Sequence, residues 1–223
     1  MTFSICAAVD GRHGVAVATK AIAVGSTAPF VCRKGAVCTQ ATTSTPLGVR
    51  SIRALEAGTP VEDAVESQLA DDPHATVRQI HGVDAGGDTV AVTGSECDPV
   101  AGDLEGDGYT VAGNMLESAD VLTAVADAFE ASSGSPLDRR FLDALRAGED
   151  AGGDKRGEHV QSAALCVFDP DEPRLAHDLR VDEHDDAVAE LERIHNLATT
   201  VGNEWEEAYP RTDVQRYSKR KPQ

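Results

Sequence analysis

Aromatic residues are scarce: phenylalanine, tryptophan and tyrosine together make up 4% of the 223 residues. The core must therefore be built from alanine, valine, leucine and isoleucine. Lysine is scarce too. Only Lys20, Lys34, Lys155, Lys219 and Lys221 are lysines among 20 basic residues, against 38 acids and a formal net charge of −18. Such a surface lacks the cations that neutralise phosphates, which argues against nonspecific nucleic-acid binding. No run approaches the ~18 apolar residues that span a bilayer. No basic-then-apolar leader with a cleavage site opens the sequence, so a cytoplasmic protein without a membrane partner is expected. No Cys-x-x-Cys pair occurs. Cys6, Cys32, Cys38, Cys97 and Cys166 are scattered and odd in number, which fits free thiols in a reducing compartment. A P-loop, a Rossmann glycine fingerprint and a Gly-x-Ser-x-Gly elbow are all missing.

What is present is an ordinary globular composition, 41% hydrophobic, which argues against disorder as the reason for the acidity. The acidity reads as halophilic: in a high-salt cytoplasm, screening removes most self-repulsion.

The chain opens with a strand. In Met1-Thr2-Phe3-Ser4-Ile5-Cys6-Ala7-Ala8-Val9, Phe3, Ile5, Ala7 and Val9 alternate with Ser4, Cys6 and Ala8. Both faces are small or apolar, as in a strand buried on both sides. Asp10–Gly14 reads as a hairpin turn and Val15–Ala21 as the returning strand. Further strands are expected at Phe30–Cys32, Ala36–Ala41, Arg78–Asp84, Thr89–Thr93, Tyr109–Ala112, Val160–Phe168 and Leu175–Val181. Pro46, followed by Leu47, Val49, Ile52 and Leu55 at helical spacing, predicts a helix ending at Gly58. Thr59-Pro60-Val61-Glu62 starts a second, running to Asp71. A second pair is expected from Ala119 and from Ser135-Pro136, and a closing helix over Val188–Leu197. Gly94–Gly108 and Ala151–Glu158 read as loops. Strands in hairpins and helices in pairs predict antiparallel sheets with helices stacked outside them, in one domain over residues 1–200 with a tail over 201–223.

Thr2 carries the first chemical reading. It is small enough for a cell to remove Met1 ahead of it. An N-terminal threonine offers a hydroxyl nucleophile and a free α-amine that can serve as its base. Thr2 also reads simply as the first residue of a core strand. A lysine nearby would lower the amine's pKa by like charge, and Lys20 and Lys34 are the candidates. Gly152 and Gly153 open a glycine-rich loop around Asp154, Lys155 and Arg156. Such loops bring backbone N–H groups close to ligands, and they also form tight turns held by an Asp–Arg bridge. Asn114, after Gly113, offers an oxyanion donor or a turn residue. Gln40 is a weaker candidate of the same kind. Asp182-Glu183-His184-Asp185-Asp186, with His177 and Asp178, lacks the compact spacing of strong metal sites. Acids before a helix explain most of that patch, so no metal and no cofactor are expected.

Several of these segments resemble one family. Met1-Thr2-Phe3-Ser4-Ile5, Thr39-Gln40, Thr93-Gly94, Ala101-Gly102, Gly108-Tyr109 and Gly113-Asn114 match its pattern in order. The match is densest in Gly152–Gly157, in Gln161-Ser162-Ala163-Ala164-Leu165 and in Arg180-Val181-Asp182-Glu183-His184. The sequence is similar to an uncharacterised-domain family, numbered 1028, regarded as candidate N-terminal-nucleophile (Ntn) hydrolases, and looks like a haloarchaeal-type member. The resemblance implies an α+β fold, the four-layer αββα sandwich of Ntn hydrolases. It also implies amide hydrolysis: Thr2, Lys20 or Lys34, Asn114 and Asp154 in the catalytic set, and Arg156, Gln40 and Gly153 at the substrate. Expected partners are a small amide substrate and further copies of the chain. The alternative is a non-catalytic αββα module that binds a ligand or assembles into an oligomer.

Overall fold

A computed structural model describes residues 1–98, 100–153, 159–171 and 175–208, with the backbone alone for 202–208. The first hairpin forms as its alternation requires: β1 (Thr2–Val9) and β2 (Arg12–Thr19) pair antiparallel, Thr2 opposite Thr19 and Val9 opposite Arg12. Asp10 and Gly11 make the turn with positive φ. β3 (Pro29–Cys32) and β4 (Gly35–Ala41) form the second hairpin. β5 (Arg78–Asp84) and β6 (Thr89–Thr93) extend it to a four-stranded sheet in the order β3-β4-β5-β6.

The larger sheet has six strands. β7 (Gly102–Gly106), β8 (Tyr109–Asn114), β9 (Ser162–Phe168) and β10 (Leu175–Val181) join the first hairpin in the order β10-β9-β2-β1-β8-β7. β1 is thus central, with β2 on one side and β8 on the other. All pairings are antiparallel.

Helices cover the outer faces. α1 (Thr45–Glu56) begins at Ser44, whose side chain accepts from the Leu47 N–H, with proline in the first turn. This is the capping chemistry its sequence carries. With α2 (Val61–Ala70) it buries Leu47, Leu55, Val61, Val65 and Leu69 against Val37, Ile80 and Val90 of the smaller sheet. α3 (Asp120–Ala131) and α4 (Leu137–Asp150) cover the larger sheet, where Phe129, Phe141 and Leu145 join Phe3, Ile5 and Val111. α5 (Ala187–Ala208) adds Val188 and Leu191 to that same core. Between the sheets lies a thin third core of Cys6, Val15 and Val17 against Ala36, Cys38 and Val83. The result is the expected α+β sandwich of two stacked antiparallel sheets, with the two helix pairs on opposite outer faces.

Three local expectations differ. Gly102–Gly106 is a strand, not part of a loop; it is an edge strand whose Leu104 and Glu105 face solvent, so it shows no apolar alternation. The first hairpin stops at Thr19, one residue before Lys20. α5 runs on through residue 200 to Ala208 instead of ending near Leu197. Residues 209–223 of the expected tail lie outside the described residues. No helix among the described residues is long and apolar enough to cross a membrane.

Candidate functional site

Even-numbered residues of β1 face the second sheet, because the odd ones pack under the helices. Thr2 therefore looks into the gap between the sheets at its open end. Its neighbours in register are Thr19 at the end of β2 and Asn114 at the end of β8. The Thr2 and Thr19 hydroxyls are 2.9 Å apart and hydrogen bonded. The Thr19 hydroxyl also donates to the Met1 carbonyl, so the remaining direction is Thr2 donating to Thr19. The Lys20 N–H donates to that same Met1 carbonyl at 3.4 Å.

Met1 crosses this mouth. Its ammonium meets Met115 Sδ at 3.5 Å, and its side chain is 6% exposed within the helix-covered core. Gly153 lies against it, with a Cβ there standing 3.7 Å from Met1 Cε. Gly152 and Gly153 both hold positive φ, which suits glycine. On the β2 side is a cleft of about 420 Å³, lined by Lys20, His159, Val160, Gln161, Glu183, His184 and Asp185. On the β8 side a smaller cleft of about 170 Å³ touches Ala41, Thr42, Cys97, Asn114 and Met115. Met1 touches one lining residue of each, Lys20 of the first and Met115 of the second.

Behind Thr2 runs a chain of buried polar side chains, of which sequence reasoning singled out Gln40 and Asn114 but not Ser4, Gln79, His81 or Thr110. Thr110 Oγ1 is 2.8 Å from His81 Nδ1, and His81 Nε2 is 2.7 Å from Ser4 Oγ. Ser4 donates to Gln40 Oε1 at 2.7 Å, and Gln40 Nε2 donates to Gln79 Oε1 at 2.8 Å. Asn114 Nδ2 donates to the same Gln79 oxygen at 3.1 Å. Gln79 Nε2 in turn shares its two hydrogens among three acceptors, Thr93 Oγ1 and the carbonyls of Gly102 and Gly113. Because Ser4 spends its one proton on Gln40, His81 must donate from Nε2 and accept at Nδ1 from Thr110. One neutral tautomer satisfies the whole chain. Burial holds the His81 pKa down at about 3, against the opposite pull of the Thr110 backbone, in agreement with that neutral form.

The expected residues divide accordingly. Thr2, Asn114, Lys20 and Gly153 gather at one mouth. Asn114 has one of its two amide hydrogens on Gln79, and the second is the one it can offer. Lys34 is not there. It lies in the turn before Gly35, whereas the Gln40 end of β4 is the one that meets Ser4. Six residues of strand separate the two ends, roughly 20 Å. Gln40 is no substrate contact either: it is 1% exposed and both ends of its amide are engaged inside. Asp154 and Arg156 lie outside the described residues. Glu149, in the last turn of α4 near Gly153, was not anticipated. Burial raises its pKa, with Arg146 pulling the other way. The His184 patch is local structure: His184 Nδ1 accepts from the Asp186 N–H at 3.0 Å.

A two-sheet sandwich whose central strand begins at its mouth defines the class, and comparison with known proteins supplies the family. Residues 2–191 match the model of a family of unknown function, DUF1028. The chain belongs to that family. It is similar to protein SPO2555 from Silicibacter pomeroyi, a DUF1028 structure, at 34% identity and a TM-score of 0.81 over 89% of this chain and 86% of that one. No curated protein matches the chain.

Proposed function

We propose that the protein is an N-terminal-nucleophile amide hydrolase in which Thr2, freed of Met1, attacks a small amide. The observation that carries this reading is the position of the Thr2 hydroxyl. It faces the open end between the sheets and is hydrogen bonded to Thr19 at 2.9 Å, beside Asn114. The α-amine takes the hydroxyl proton, directly or through Thr19, as Oγ1 adds to the carbonyl carbon. Asn114 offers its second amide hydrogen to the oxyanion. The amine returns the proton to the leaving nitrogen, and water then cleaves the Thr2 ester. The positive charge of Lys20, which follows Thr19, favours the neutral amine. The buried chain from His81 to Asn114 holds the Asn114 amide in place.

One observation favours a second reading, a non-catalytic module. Met1 is itself well packed, and while it is attached the Thr2 nitrogen is an amide that cannot serve as the base. Intact-mass measurement separates the two. The first reading expects loss of Met1, together with acylation of Thr2 by a β-lactone that Thr2→Ala abolishes without moving the thermal melt. Retention of Met1 in the purified protein rules the first reading out.

A further inference from the structure

A second constellation lies away from the Thr2 mouth. Asp138 opens the first turn of α4, His177 is on β10 and His195 on α5. His177 is in register with Val167 of β9, Val167 with Gly14 of β2, and Gly14 with Ala7. Ala7 is five residues along β1 from Thr2, about 17 Å in the strand direction. Three elements distant in sequence thus deliver two imidazoles and a carboxylate to one point.

Their ligand atoms all lie within 4.8 Å of one another. His195 Nε2 is 2.6 Å from Asp138 Oδ2, and His177 Nε2 is 3.5 Å from the same oxygen. The two rings are tilted by 47° with centroids 4.9 Å apart, so both nitrogens face the carboxylate. Asp138 and His195 are 9% and 5% exposed, while the His177 side chain, at 19%, forms the rim. A hydrogen-bonded His–Asp pair would account for His195 alone. It does not account for a second imidazole aimed at the same oxygen from beyond strong hydrogen-bond range. His195 Nδ1 is buried and has no hydrogen-bond partner, so in the metal-free chain the His195 proton sits on Nε2, where Asp138 accepts it.

We propose that Asp138, His177 and His195 form a binding site for a divalent transition-metal ion, with Zn²⁺ the best match. Two imidazoles and one carboxylate are borderline ligands of the kind Zn²⁺ takes, and three protein ligands leave one position for solvent. Metal–ligand bonds of about 2.0–2.2 Å set ligand atoms roughly 3.3–3.5 Å apart in tetrahedral geometry. The His177–Asp138 separation already matches, and the His195–Asp138 pair has to open by under ~1 Å. The ion takes the place of the proton shared by that pair. It would clamp α4, β10 and α5 together. The outer nitrogen of His195 lacks the supporting partner usual for zinc histidines. Affinity is therefore expected to be roughly 10–100-fold below that of a fully supported site.

The test uses the full chain, free of any histidine tag and stripped with EDTA, titrated with Zn²⁺ and separately with Co²⁺. One equivalent of Zn²⁺ should bind and raise the melting temperature, and Co²⁺ should give the intense visible absorption of a four-coordinate site. His177→Gln, at the exposed rim, should weaken binding by about 100-fold and abolish the thermal shift while leaving the metal-free melt close to wild type. His184→Gln, on the exposed patch, should change nothing. Failure of the wild-type chain to take up one equivalent overturns the proposal. So does uptake that survives His177→Gln, or uptake that His184→Gln removes.

Discussion

At the scale of the residue, the most consequential group is His81, which is neutral because it is buried between two hydroxyls. In the unfolded chain a histidine takes up a proton below pH ~6.5. In the folded chain His81 does so only near pH 3. The unfolded state therefore binds more protons between those values. The contribution of His81 is complete above pH ~6.5 and is lost as pH falls toward 3, at up to about 1.4 kcal/mol per pH unit. Urea unfolding from pH 7 to pH 4 should show His81→Gln losing stability less steeply than wild type. Equal slopes would mean that His81 titrates in the fold. His13, also lowered by burial, adds a slope of the same sign. None of this was legible in Gln79-Ile80-His81-Gly82-Val83, which reads as a half-buried strand with polar residues outward. Those polar residues face a second sheet instead, and no local pattern tells solvent from a polar partner 40 residues away. Thr2 and Asn114 were legible because each borders a strand end, and strand ends can be read from turns. Lys34 was misplaced for a related reason: a hairpin shows where a turn falls but not which end of the stack it joins.

At the scale of the element, the poverty of aromatics shows as close approach. Gly148 sits inside α4, where alanine is intrinsically better by roughly 1 kcal/mol. A Cβ there would stand 2.7 Å from both the Phe3 ring and Val125 Cγ2. Overpacking of that kind costs about 1–3 kcal/mol, so Gly148→Ala should destabilise on balance. An unchanged or raised urea midpoint would show that the helix can shift outward. The helices themselves were readable from caps, prolines and spacing, and the hairpins from glycines. β7 was not: Gly102-Asp103-Leu104-Glu105-Gly106 is an edge strand with charge on it, which guards an open edge but erases the alternation by which strands are found. The extra turns of α5 past Leu197 were missed because Leu197 and Val201 point to solvent, leaving no buried stripe.

At the scale of the molecule, charge dominates. A net −18 on 223 residues puts acids close together over most of the surface, and few of the described ion pairs are buried. The pairs Arg139–Asp143, Arg180–Asp182 and Arg193–Glu190 are substantially exposed and contribute little. Screening self-repulsion should therefore outweigh the loss of attraction. Thermal melts should rise between low and molar KCl. A flat or falling melt would remove the halophilic reading, while the sandwich itself would stand.

The strand order also sets a timetable. β3 to β6, with α1 and α2 between them, come from one contiguous stretch, residues 29–93. That half can assemble early on the ribosome. The first hairpin cannot complete its sheet until β8 and β9 arrive, about 100 and 150 residues after its own strands. Long-range pairings of this kind form late. Until then the start of β1 is accessible. Afterwards Met1 is 6% exposed, beyond the reach of an aminopeptidase. On the hydrolase reading, trimming is a race that the topology lets the cell win during synthesis, and a chain that closes over Met1 stays inactive for as long as it remains folded.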